Sequence, residues 1–199
     1  MIKKTIRKLK SSKGMSLGEV LLCVLIIMLV TSTLATGISL AYTNYRISVT
    51  TSEAKILYST LKSVILSELG NTNAVFLKKT TEGTEYPLDK FFSRTYAITD
   101  EYSRFYSVTI EKSGMEEPDD GYGEIILGTE DEKGVITGNL LISRAAYSSY
   151  HLSAKVDVTY DININTFHVT LSISNKNDIE ISESFDVIPL NEMEIEIES

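Results

Sequence analysis

Few side chains in this sequence are equipped for chemistry, and their spacing narrows the choice further. The two histidines, His151 and His168, stand 17 positions apart with no acid at metal-ligand spacing to complete a site. His168 falls on the polar phase of its segment, between Phe167 and Val169, which predicts an exposed ring. A single cysteine, Cys23, excludes an intrachain disulfide and any cysteine-based zinc cluster. Inside an apolar run it reads as a small buried hydrophobe. The segment Glu116-Glu117-Pro118-Asp119-Asp120-Gly121-Tyr122-Gly123-Glu124 gathers enough oxygens to hold calcium, but its spacing matches no EF-hand loop. Acid-Pro-Gly runs of this kind are ordinary solvated turns, and Glu130-Asp131-Glu132-Lys133-Gly134 reads the same way. No Gly-rich phosphate loop, nucleophile elbow or Ser/His/Asp arrangement occurs, so no catalytic residue, metal or cofactor is expected. One carboxylate stands apart. Glu19 heads a long apolar run, where burial in lipid is costly unless the charge is paired.

The elements around Glu19 explain its setting. Residues 1–14 carry six bases (Lys3, Lys4, Arg7, Lys8, Lys10 and Lys13) and no acid. Residues 20–45 then form an uncharged run of 26. At 1.5 Å per residue a helix of that length spans about 39 Å, enough for the roughly 30 Å hydrocarbon core of a bilayer. The basic leader predicts a cytoplasmic N-terminus and an outward C-terminal body. That body is acidic: residues 53–199 hold 12 bases against 26 acids, a net of −14, within a chain whose formal charge is −8. Such a surface repels phosphate backbones, which argues against nucleic acid as the primary partner. With 43% hydrophobic and 23% charged residues, the 199-residue chain has the composition of a folded domain plus an appendage.

Beyond the apolar run, Ala54, Leu57, Leu61, Val64, Ile65 and Leu69 recur at spacings of three and four, predicting an amphipathic helix over residues 53–69. Its apolar face is expected to pack on a sheet. Gly70-Asn71 predicts the stop. Ile47-Ser48-Val49-Thr50-Thr51-Ser52 is β-branched and hydroxyl-rich, and is expected to thin the helix locally. Residues 71–103 mix polar turns, at 80–85 and 86–87, with apolar pieces at 74–77 and 91–92. Strands are predicted over 104–111, 123–128 and 135–143. Three alternating runs follow: Val156, Val158, Tyr160, Ile162 and Ile164; then Phe167, Val169, Leu171 and Ile173; then Ile179, Ile181, Phe185 and Val187. They predict an antiparallel meander with one buried face. The tail, residues 191–199, alternates apolar and acidic residues, as an edge strand guarded by charge or a frayed end would. Tyr96, Tyr102, Tyr106, Tyr147 and Tyr150 fall in or beside predicted loops, where they cap sheet edges or offer a contact surface.

Three N-terminal readings fit the basic and apolar order. One is a Sec signal peptide, with Ser39-Leu40-Ala41 as a cleavage triplet and a mature chain beginning at Tyr42. Another is an uncleaved signal anchor. Neither gives Glu19 a role. In the third reading, Lys13-Gly14-Met15-Ser16-Leu17-Gly18-Glu19 and the apolar run resemble the leader of the type IV prepilins. That resemblance covers roughly residues 8–45. It implies cleavage between Gly14 and Met15 by a prepilin peptidase, N-methylation of Met15, and a helix held in the membrane until assembly. It also implies that Glu19 pairs with the N-terminal ammonium of a neighbouring subunit, an ion pair that sets register more than it adds stability. Methionine at the cut and Gly18 depart mildly from the family pattern, and no proline bends the helix before Pro87.

The expected fold is therefore α+β and pilin-like, a long N-terminal helix packed on an antiparallel sheet. The expected domains are a basic leader (1–14), a transmembrane or filament-core helix (15–45), its amphipathic continuation (46–70) and an acidic, β-rich extracellular head (71–199), in which the resemblance implies a variable loop over 71–103 linking helix to sheet. By resemblance, the partners are other pilin subunits, prepilin peptidase, the cytoplasmic membrane and an assembly platform. The chain would be a structural, non-enzymatic subunit, a minor pilin or pseudopilin, of a type IV pilus, competence pseudopilus or secretion pseudopilus. The competing reading is a membrane-anchored or secreted β-rich binding domain that does not polymerise.

Overall fold

The computed structural model describes residues 16–79, 84–93, 102–111, 114–175 and 179–197. Helix α1 (Leu17–Gly70) has 54 residues. The strands are β1 (Thr72–Leu77), β2 (Glu85–Ser93), β3 (Arg104–Glu111), β4 (Gly114–Glu116), β5 (Glu124–Glu130), β6 (Ile136–Leu140), β7 (Leu152–Asp161), β8 (Thr166–Asn175), β9 (Ile179–Val187) and β10 (Glu194–Ile197), with a short helix α2 (Ala145–Ser148) before β7. The chain is thus α+β, a long apolar N-terminal helix with mixed β structure. It divides into two compact units between Ile47 and Ser48.

In the first unit, every described side chain from Ser16 to Ile47 is exposed. The hydroxyl groups scattered along it do not break the helix, because they bond to its own carbonyls. Thr33 donates to Leu29 O and Val30 O, Thr36 to Ser32 O, Thr43 to Ser39 O, and Thr31 to Ile27 O. A hydroxyl satisfied one turn back presents little polarity outward.

In the second unit, Ala54, Leu57, Leu61, Ile65 and Leu69 are buried and Val64 is half-buried. Each large aliphatic side chain so buried contributes about 1.5–3 kcal/mol. Their partners in the core include Val75, Phe91, Phe167, Val169, Leu171 and Ile173. Residues 47–52 stay helical rather than thinning. Burial of Thr50 and the Ser52 hydroxyl bond to Ser48 O at 2.9 Å offset the poor intrinsic propensity. The helix ends as expected at Gly70, but through Asn71 rather than a left-handed glycine: both the Asn71 N–H and its Nδ2 donate to Ser67 O, at 3.2 and 2.8 Å.

Two sheets replace the single antiparallel sheet expected. One has the order β10-β1-β2-β7-β8-β9, and the other β4-β3-β5-β6. The meander β7-β8-β9 is antiparallel as predicted, with Phe167, Val169, Leu171 and Ile173 on the buried face. The loop expected over 71–103 instead contributes β1 and β2. The tail is an edge strand, β10, and it runs parallel to β1, which makes this sheet mixed. Its pattern is hard to read because all four side chains are exposed.

The join between β2 and β7 is short. Only Glu85↔Asp161, Tyr86↔Tyr160 and Pro87↔Thr159 are paired, and proline donates no hydrogen bond. Further along, each strand turns to the second sheet: Phe91 exchanges two backbone hydrogen bonds with Ser103, and Ala154 two with Gly123. Gly123 is required there, since a Cβ would lie 2.5 Å from Val108 O.

The tyrosines correct another expectation. Tyr106 lies within β3 and Tyr147 on α2, and both are core residues rather than edge caps or loop contacts. Tyr147 can be buried because its hydroxyl oxygen accepts the Ile125 N–H at 3.1 Å. Tyr102 is half-buried, edge-on to Phe76 at 4.4 Å, and Tyr96 lies outside the described residues.

Candidate functional site

The head of α1 is organised around Glu19. The Ser16 N–H donates to Glu19 Oε2 at 2.9 Å, the Ser16 hydroxyl donates to the same oxygen at 3.2 Å, and the Glu19 N–H donates to Ser16 Oγ at 3.3 Å. This reciprocal arrangement is a capping box, which satisfies amides that the first helical turn leaves without partners. The carboxylate also sits where the helix dipole favours negative charge. Ser16 was not singled out above, although the spacing Ser16-Leu17-Gly18-Glu19 is the signature of this motif. Glu19 itself is exposed.

Around and beyond it lies an apolar surface with no partner among the described residues. Leu21, Met28 and Ile38 are each between 66% and 69% exposed, and the apolar residues occupy all sides of the helix. A helix apolar all round belongs in lipid or against other helices. By length and composition α1 is able to cross a membrane. Cys23 is exposed in the single chain, against the expectation of burial. Burial there requires lipid or a neighbour. Gly14 and Met15, the expected cleavage and methylation positions, lie outside the described residues.

The acidic segment at 116–124 forms a turn as predicted: the Gly121 N–H donates to Pro118 O at 2.9 Å, and the Tyr122 N–H to Asp120 Oδ1 at 3.1 Å. Gly121 takes the left-handed φ of 70° that this turn needs. Residues 130–134 also turn, with Asp131 Oδ1 accepting the N–H groups of Lys133 and Val135. An open groove of about 740 Å³ runs past Lys90, Tyr102, Arg104, Tyr106 and Glu130, mixing both signs of charge.

His151 is exposed, at a positive φ of 53°. His168 departs from expectation. Its ring is half-buried, its Nδ1 lies 2.6 Å from Asp186 Oδ1, and Glu85 and Asp161 stand beside it. The acids missing from its sequence neighbourhood arrive from three other strands. Register within the predicted meander could have revealed two of them in advance, Asp161 across β7 and Asp186 across β9, but not Glu85 on β2.

No family model matches the chain, and comparison with curated proteins and with solved structures found no match.

Proposed function

We propose that this chain is a pilin-like structural subunit, cut between Gly14 and Met15, methylated on Met15, and assembled through α1 into a type IV pilus-like filament. The observation that carries this reading is Glu19, a carboxyl side chain at the head of a helix whose apolar residues are exposed on every side. Lipid satisfies the apolar surface but not the carboxylate. A neighbouring helix whose N-terminus carries a free ammonium satisfies both. The capping box orders Glu19 in the free subunit. In the filament the carboxylate would exchange part of that bonding for the neighbour's ammonium. The second unit, with its folded sheets, would form the outer surface of the filament. The role is structural rather than catalytic, and before assembly the chain would be a single-pass membrane protein with its C-terminal unit outside.

A second reading keeps the chain as a membrane-anchored binding domain, favoured by the groove that Tyr102, Arg104 and Tyr106 line. Intact mass and N-terminal sequence of the protein from cells with prepilin peptidase separate the two. A methylated chain beginning at Met15 is expected, with Glu19→Ala processed but excluded from filaments. A chain beginning at Tyr42, or filaments with a normal content of the Glu19→Ala subunit, would overturn the assembly role.

A further inference from the structure

Two carboxylates and an imidazole from separate parts of the sequence converge on one face of the six-stranded sheet. Glu85 opens β2 and Asp161 closes β7, directly opposite each other in register. His168 on β8 is paired with Thr159, two residues before Asp161, so it shares that face one diagonal step away. Their neighbours Tyr160 and Phe167 point to the other face and are fully buried in the core. One ligand atom from each of Glu85, Asp161 and His168 lies within 4.8 Å of the other two.

Three independent features make this cluster more than a patch of acids. Like charges directly opposite on neighbouring strands destabilise a sheet, yet among the described residues no Lys or Arg forms an ion pair with Glu85 or Asp161. Asp161 is held in place, with Oδ1 accepting the Asn163 N–H at 2.8 Å. The second feature is the imidazole, oriented from behind. Asp186, its register partner on β9, takes Nδ1 at 2.6 Å. A carboxylate bonded to a ring nitrogen fixes the orientation of the imidazole, as the partners behind metal-binding histidines do. The third feature is location. The cluster sits on the three-pair join between β2 and β7, the narrowest connection in the sheet.

We propose that Glu85, Asp161 and His168 bind one divalent transition cation of the zinc class, with Asp186 positioning the imidazole, and that the ion clamps β2 to β7 and β8. One nitrogen and two oxygens, completed by water, suit zinc-like tetrahedral coordination. Calcium and magnesium prefer shells made wholly of oxygen, and no sulfur is present to select copper(I). The ion would neutralise the opposed carboxylates and hold together strands that backbone pairing joins weakly. This inference does not depend on how α1 is used.

The test uses the full chain in detergent, titrated with zinc by calorimetry and with cobalt(II) by visible absorption, alongside thermal melts. One zinc per chain is expected, with a Tm several degrees higher at about 100 times Kd. Calcium should produce neither. His168→Gln and Asp161→Asn are each expected to weaken zinc at least tenfold and remove the Tm rise, and Glu85→Gln to do so from the β2 side. Asp186→Asn should weaken binding about tenfold to a hundredfold while keeping one site and the cobalt spectrum. His151→Gln should change nothing. If a variant does not fold, chelation of the wild-type chain gives the same readout, a Tm lowered and restored by zinc. Absence of zinc binding, an equal response to calcium, or zinc affinity untouched by His168→Gln would overturn the proposal.

Discussion

Ser16 and Glu19 cap the head of α1 reciprocally, each using its side chain to bond the other's backbone N–H, at 2.9 Å to Glu19 Oε2 and 3.3 Å to Ser16 Oγ. The carboxylate proposed to meet a neighbouring subunit is thus already held at the helix head before any neighbour arrives. A group held in position loses less freedom on pairing than a mobile one.

Ser16→Ala removes one half of that box and leaves Glu19 present. Loss of a serine N-cap costs about 1 kcal/mol, equivalent to about fivefold faster opening of the first turn. Amide hydrogen exchange of residues 17–20 in detergent micelles is expected to accelerate by that factor. Exchange of the helix from Ala54 onward should be unchanged. Uniform acceleration along α1, or none at its head, would remove the cap from the account.

Glu68 sits in the second unit, beyond the uncharged run, and its side chain is buried with Oε2 unpaired. Burial pushes its carboxyl above the ordinary value of 4.5, and a hydrogen bond from Ser93 pulls the other way. The native state therefore holds this proton more tightly than the unfolded chain does. The stability it contributes is full below about pH 4.5 and is lost as pH rises through the raised native value. Relative to wild type, Glu68→Gln should gain in Tm from pH 4 to pH 7.5. Thermal melts at the two pH values check this, and a Tm difference independent of pH would contradict it.

Tyr147 on α2 accepts the Ile125 N–H, with both residues buried. Tyr147→Phe leaves that N–H unpaired and is expected to cost about 1–3 kcal/mol. Desolvation raises the Tyr147 hydroxyl well above its ordinary 10.0. Stability from this group is therefore full below pH 10 and falls as pH rises beyond it. Tyr106 and Tyr160 are shifted upward too, so the variant should show a shallower alkaline loss rather than none. Denaturant unfolding between pH 8 and pH 11 measures both effects.

Local patterns were legible in the sequence wherever one face of an element meets the core. The 3.6-residue recurrence of Leu57, Leu61, Ile65 and Leu69 and the alternation of Phe167, Val169, Leu171 and Ile173 follow from burying one side of a helix or strand. The apolar run after Glu19, exposed on all sides in the structure, was equally plain, because its helix turns no single face inward. Even the Ser16–Glu19 cap lay within reach, since its partners are three residues apart.

Long-range pairing was not legible. Nothing near β10 in the sequence indicates that it runs parallel to β1, some 120 residues away, because exposed side chains carry no record of their backbone partners. Tyr147 looked like a loop residue until α2 placed its hydroxyl against Ile125. His168 looked isolated until strand register brought Asp186, Asp161 and Glu85 to it. Sequence alone determined the elements and their inward faces, through periodicity and local hydrogen bonding. Only the tertiary structure decided which strands became neighbours, and so which charges share a face, because that choice rests on contacts made between residues far apart in the chain.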